Sequence, residues 1–353
     1  MVSMSNRPQP SARPSTVNKR IPINVLFGLP DDGKARVQIL DEGKRLDFTL
    51  LGTASMVPHI SAERFALNML YLHPGQEVPV KLGPGALLNH VGDADLCAGS
   101  LGLIERITNQ VARPCFNSPA AVARSTREQV ASMLADLPGM DVPKTIRIHA
   151  KTVEQVLEAI DKTRLAFPVL VRVAGAHGGE EMVRIDRPED GHEIRKLKIS
   201  ERDVYVTEFR DFVSPDGFYR KSRIAVVGDE IFLRHHVIGE NWLLHSARRA
   251  ANTEAEEIAT FAAFDSDWAP RLRPLFRTIA DRLDLDFFGV DCSIDASGRV
   301  TLFEANACML ILKNTRPSPN MWDAPIARIV DAVETLMSTP EKWRDYRRFK
   351  TAE

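Results

Sequence analysis

Residues 287–307 read FFGVDCSIDASGRVTLFEANA: two runs of strand-favouring residues, FFGVDCSI and RVTLFEAN, joined by the turn-forming DASG. That pattern predicts an antiparallel hairpin. Side chains alternate between the two faces of such a hairpin, so the face that carries Asp291 also carries Glu304 and Asn306. Carboxylates crowded on an otherwise apolar hairpin repel one another and resist desolvation, and a hard divalent cation relieves both problems. Mg²⁺ is the expected ion, with Mn²⁺ as an alternative. Mg²⁺ takes few carboxylates and keeps its other positions for water and phosphate, which points to phosphate chemistry. The competing reading is an ordinary surface hairpin with scattered acids.

The spacing D, twelve residues, E-x-N at Asp291, Glu304 and Asn306 resembles the metal-binding signature of the ATP-grasp superfamily. Three other stretches are similar to parts of that superfamily, in its order. PCFNSPAAVARSTREQVASMLADLPGMDVPKTIRI at 114–148 resembles its entry of a helix followed by a P-x-T strand. FPVLVRVAGAHGGEEMVRI at 167–185 resembles the strand, glycine-rich loop and strand that cover the triphosphate. DVYVTEFRDF at 203–212 resembles the hinge that holds adenine. The resemblance covers about residues 114–337. Residues 1–20, with Pro, Ser and basic residues and no apolar run, read as a flexible tail; with the resemblance the chain is expected to be α/β, with a small parallel α/β unit at 21–113 and a first ATP-grasp lobe at 114–208. A second lobe with antiparallel strands and the metal site follows at 209–337, then a C-terminal tail at 338–353.

The resemblance also implies roles. Gly175, Gly178 and Gly179 let backbone N–H groups approach phosphate oxygens. Arg172 and Arg127 stand where relatives often have lysine; each keeps the cationic charge and adds a planar fork of donors. Glu208 and Phe209 begin the adenine hinge. Arg223 and Arg234 would contact the γ-phosphate or an acyl phosphate through bidentate bonds. Lys221 stands near where many relatives have an acidic ribose contact; Asp211 and Asp216 are the substitutes for that role, with a solvated loop as the competing reading of each. Lys313 and Arg316 are candidates for a substrate carboxylate.

Within 21–113, INVLFGL and ALLNHV read as strands, and ADLCAGSLGLIERI reads as a helix. SAERFALNMLYL has apolar residues near helical spacing. Alternating strands and helices predict a parallel sheet, and ligands in such sheets sit beyond the strands' carboxyl ends. Asn89, His90 and Asp93 are therefore candidates for a substrate-facing loop, or else a strand terminus and helix cap. His235, His236 and His245 are candidate proton carriers, with packing as the alternative.

The 353 residues, 44% hydrophobic and 26% charged, suit two or three packed units. With 46 basic and 47 acidic residues, no global field favours nucleic acid or an anionic membrane. No apolar run suits a signal peptide or a bilayer span. Four scattered cysteines, without a C-x-x-C pair, fit a reducing compartment, so a cytoplasmic location is expected. Homo-oligomerisation is left open.

The function implied is an ATP- and Mg²⁺-dependent ligase, which activates a carboxylate as an acyl phosphate and passes it to an amine with release of ADP and phosphate. Its partners would be ATP and small-molecule or peptide carboxylates and amines. Two alternatives stand: an ATP-dependent kinase of a small hydroxylated metabolite, and a silent ATP-binding sensor.

Overall fold

The computed structural model describes residues 19–347 except 41, 42, 78–80, 178, 180 and 245–248. The chain opens with β1 (Ile21–Gly28), whose last six residues are all buried. A hairpin of β2 (Arg36–Leu40) and β3 (Arg45–Thr49) stands apart from it. Then come β4 (Phe65–Leu72), β5 (Ala86–Asn89), α1 (Ala98–Val111) and β6 (Cys115–Phe116). Strands β4, β1, β5 and β6 lie in that order in one parallel sheet, as the strand–helix alternation predicted. One expectation fails here. FALNMLYL is strand β4 and not helix: all eight of its residues pair with β1, from Ile21 opposite Phe65 to Gly28 opposite Leu72. A short apolar run satisfies both periods, and pairing with a neighbouring strand decides between them.

Next are α2 (Pro119–Ala123), α3 (Arg127–Leu134) and β7 (Met140–Asp141), followed by β8 (Thr145–Ile148), α4 (Val153–Thr163), β9 (Val169–Val173), β10 (Met182–Ile185) and β11 (Val204–Glu208). The antiparallel sheet β10-β9-β11-β8 packs its inward residues against α4. Val156 and Ile160 of α4 meet Val169, Val171, Val173, Val204 and Val206, so this lobe has a core of its own.

The remaining elements are β12 (Tyr219–Val227), β13 (Glu230–Gly239), α5 (Glu254–Ala263), α6 (Ala269–Leu283), β14 (Phe287–Ile294), β15 (Val300–Asn306) and α7 (Asp323–Met337). Their sheet runs β13-β12-β14-β15-β7, antiparallel except for the last pair. This lobe shares its core with the N-terminal sheet. Leu26, Leu87 and Leu101 lie in one cluster with Phe276, Phe288 and Val290. On the opposite side Ile23, Val25 and Phe27 join Ile329, Val333 and Trp343.

Residues 338–347 were expected in a tail, yet they pack. Trp343 is fully buried, donates from Nε1 to the Leu336 carbonyl at 2.7 Å and sits edge-on to Phe116. An indole that closes an apolar cluster and also satisfies its N–H outweighs the entropy of a free end. Among the described residues no helix is long and apolar enough to cross a membrane.

Candidate active site

The hairpin at 287–307 forms as read. Asp291 stands directly opposite Glu304, and Asn306 opposite Gly289 on the same face, with an irregularity in register just after Asp291. Neither carboxylate is alone. Arg223 donates to Asp291 through Nε (2.7 Å) and Nη2 (3.0 Å), and Lys221 donates to the same carboxylate at 3.2 Å. Lys221, considered near the ribose, is thus a partner of the predicted metal ligand. Glu304 accepts from Arg127 Nη2 at 2.5 Å and from Asn306 Nδ2 at 2.6 Å. Burial opposes ionisation of both acids. Arg223 and Lys221 nevertheless hold Asp291 below the usual carboxylate range, and Arg127 and His177 do the same for Glu304. Two ionised carboxylates and an amide on one sheet face form an all-oxygen donor set that suits Mg²⁺.

Strand β9 aims Arg172 at this face from the smaller lobe. Among the described residues Arg172 forms no ion pair; its contact is from Nη2 to the Met182 sulfur at 3.1 Å. Burial, and then the nearby Arg127 charge, push its guanidinium down to about 9. The loop after β9 folds over the site. Gly175 has φ of 72°, and a Cβ there would lie 2.5 Å from Leu96 Cδ2, so glycine is required both by conformation and by close approach to the N-terminal unit. Gly179 also has positive φ, at 81°. Gly178 lies outside the described residues.

In the hinge, the N–H groups of Glu208 and Phe209 are already committed to the carbonyls of Lys144 and Pro168, at 3.0 and 2.8 Å. The Glu208 carboxylate accepts from Ala166 N and Arg210. These two residues therefore hold the hinge in place, and neither has an N–H to spare for a base. The Phe209 ring lies under Arg184, at 4.1 Å, and beside Trp242, at 5.5 Å. Asp211 and Asp216 accept from backbone N–H groups of their own loop.

Arg223 pairs in register with His235, and Arg234 sits at the irregularity between the paired positions. The two arginines meet in the 310–313 segment. Arg223 Nη1 donates to the Leu310 carbonyl, and Arg234 donates to those of Ile311 (2.6 Å) and Lys313 (2.8 Å). Arg234 Nη1 is buried without a hydrogen-bond partner among the described residues. Arg316 lies over the Trp322 ring, at 4.4 Å, and pairs with Glu254.

The other histidine and loop candidates are mostly structural. Burial holds His235 well below its ordinary range and His236 down to about 4, so both are neutral at pH 7 and unsuited to carrying a proton there. His245 lies outside the described residues. His90 accepts the N–H groups of Met56 and Val57, and Asn89 bonds Val91 N and the Asn117 carbonyl. Of the 89–93 group Asp93 alone reaches the site, through a 2.7 Å contact with His177.

His177 was not singled out by sequence, although it stands in the glycine-rich loop. It touches Asp93, Glu304 (3.7 Å) and Cys308 (3.9 Å). Burial works against its charge, but hydrogen bonds with Asp93, Cys308 and Glu304 push it up to about 12. Asp95 was missed as well. It accepts from the Tyr205 hydroxyl at 2.7 Å and pairs with Arg147 at 3.0 Å, which ties the N-terminal unit to β11 and β8. A single sequence gives no signal for pairs so distant along the chain.

No family model matches this chain. Among curated proteins, tetrahydromethanopterin:alpha-L-glutamate ligase of Methanococcus maripaludis is 21% identical over 224 residues, 63% of this chain and 70% of that protein. Among solved structures, the D-alanine-D-alanine ligase from Coxiella burnetii superposes with a TM-score of 0.55 at 11% identity, covering 95% of this chain and all of that one. VanG D-Ala:D-Ser ligase from Enterococcus faecalis gives 0.53 at 17% identity over 90% of this chain and all of its own. The D-alanine-D-alanine ligase from Bacillus anthracis complexed with ATP gives 0.51 at 10% identity, over 95% of this chain and 99% of that one.

Proposed function

Since the chain has the ATP-grasp fold, we propose that it is an ATP- and Mg²⁺-dependent ligase that joins a carboxylate to an amine. Arg172 carries the reading. A guanidinium on the strand that leads into a glycine-rich loop, in no ion pair among the described residues and only partly offset by the more distant Glu304 and Asp291, is a binding group for an anion that arrives with a ligand. Triphosphate oxygens under the backbone at Gly175 and Gly179 meet that demand.

Asp291, Glu304 and Asn306 would hold Mg²⁺, which when bound neutralises charge on the phosphates. The protein residues do the rest. Arg172 and Arg127 fix the triphosphate, and the loop excludes water. The substrate carboxylate oxygen bonds to the γ-phosphorus as the bond to ADP breaks. The amine nitrogen then bonds to the acyl carbon, phosphate departs and the amine loses a proton. Arg223 and Arg234, held by the 310–313 carbonyls, would steady the acyl phosphate. The relative's name and the neighbours' titles describe ligases of glutamate, D-alanine and D-serine, which favours an amino acid as the amine. Buried free thiols at Cys97, Cys115 and Cys292 favour a reducing compartment such as the cytoplasm.

The test is ADP release by purified protein with ATP, Mg²⁺ and paired carboxylates and amino acids. Release that needs both substrates, and is lost in E304Q, supports ligation. A phosphorylated hydroxyl product would favour the kinase. Thermal stabilisation by ATP without turnover would favour a sensor, a reading to which the double clamp on Asp291 lends weight. Absence of stabilisation by ATP would remove the nucleotide assignment.

A further inference from the structure

Three elements distant in sequence bring unlike side chains to one point. Asp93 comes from the loop after β5, His177 from the glycine-rich loop and Cys308 from just beyond β15. One carboxylate oxygen, one ring nitrogen and one sulfur all lie within 4.8 Å of one another. The same ring atom, Nε2, faces both Asp93 Oδ2 (2.7 Å) and Cys308 Sγ (3.9 Å). That rules out a nucleophile relay, in which the acid would hold one ring nitrogen and the thiol the other. Oxygen, nitrogen and sulfur converging on a common point is instead the pattern of a borderline-soft cation site.

The surroundings agree. Asp93 Oδ1 accepts the N–H groups of Asp95 (2.7 Å) and Leu96 (3.2 Å), which fixes the carboxylate and leaves Oδ2 for another partner. The second ring nitrogen, Nδ1, faces Glu304 at 3.7 Å. A carboxylate on the far nitrogen of a ligating histidine is the usual way of orienting the ring. Asp93 is buried, and the His177 side chain is 43% exposed, so a cation can enter from solvent.

We propose that Asp93, His177 and Cys308 form a three-ligand site for Zn²⁺ or a similar transition-metal ion, with Glu304 orienting the histidine. Binding releases the Cys308 thiol proton and the His177 Nε2 proton to solvent, leaving thiolate, neutral imidazole and carboxylate on the metal. The bound ion ties the glycine-rich loop to both the N-terminal unit and the strand end of the large lobe. The inference does not rest on the ligase reading, because it concerns metal binding by the protein without nucleotide.

The experiment is Co²⁺ titration of the full chain in the absence of ATP and Mg²⁺, followed by displacement with Zn²⁺. One equivalent of Co²⁺ is expected to give a thiolate charge-transfer band with tetrahedral d–d bands, both removed by Zn²⁺. C308S should lose the charge-transfer band. H177N and D93N should weaken binding at least tenfold, D93N with the thiolate band retained. H192N, at an exposed histidine beside Glu189 and Glu193 and outside the cluster, should bind as the parent does. Metal-free melting of each variant separates loss of the site from loss of fold, and D93N serves if either of the others melts early. No Co²⁺ binding by the parent, or equal affinity and identical spectra in C308S and H177N, would overturn the proposal.

Discussion

Lys221 lies 3.2 Å from Asp291, on the carboxylate that Arg223 also grips with two nitrogens. Two cations on one acid over-neutralise it, and an incoming Mg²⁺ must compete with both. Removing the lysine should therefore help the metal. We predict that K221A tightens the apparent Mg²⁺ Kd by about fivefold, equivalent to ~1 kcal/mol for one partly buried charge. The Mg²⁺ dependence of thermal stabilisation by ATP measures it, and an unchanged dependence would separate Asp291 from the metal.

Arg172 should show effects of opposite sign on ligand binding and on folding. Its charge is opposed by burial and by Arg127, which outweigh the attraction of Glu304 and Asp291, and it forms no ion pair among the described residues, so folding gains little from it. R172A is expected to weaken ATP binding by about 10- to 100-fold, the loss of a charge-assisted phosphate contact, while the melting temperature stays level or rises. R172K should recover part of the affinity, since the charge returns without the fork. Calorimetric titration with ATP decides, and equal affinity in R172A would count against the phosphate role.

These two sites show what a single chain discloses. Asp291, Glu304 and Asn306 were legible because a period of two on a short hairpin fixes their shared face. Arg172 was legible beside the glycine-rich loop. The partners were not: Lys221 reaches Asp291 across 70 residues, Arg127 reaches Glu304 across 177, and His177 reaches Asp93 across 84. Such pairs depend on how lobes pack, and local patterns do not encode that. The strand at 65–72 was misread for the same reason, since its identity comes from pairing with β1 and not from its own spacing.

Asp286 gives a pH signature that is independent of catalysis. Burial is the main cause that pushes its carboxyl up to about 6, although it accepts the N–H groups of Arg344 and Asn117. A folded-state value above the ordinary 3.8 means that the folded protein holds this proton more tightly than the unfolded chain does. The associated stability is fully present below pH 4 and is lost as pH rises through 6. Relative to D286N, the wild type is expected to lose about 2 kcal/mol of unfolding free energy between pH 4 and 6, most of the ~3 kcal/mol that a shift of about two pKa units carries in full. Parallel urea denaturation series across that range would show it, and matching slopes would contradict it.

Asn117 takes the left-handed conformation, φ 53°, at the start of the NSP stretch. Its side-chain oxygen accepts the N–H groups of Asp286 and Phe287, both at 2.9 Å, and its amide donates to the Phe287 carbonyl at 2.7 Å. The residue thereby fastens the end of the parallel sheet to the first residues of β14, the strand that presents Asp291. N117A strands two buried donors and one acceptor and places alanine in a conformation it resists. A loss of about 3 to 5 kcal/mol is expected from these orphaned groups. N117G removes the backbone strain but not the orphaned groups, so it should recover about 1 kcal/mol. Chemical denaturation of the three proteins reads the series. If N117A were as stable as the parent, the asparagine would have no part in joining the two sheets.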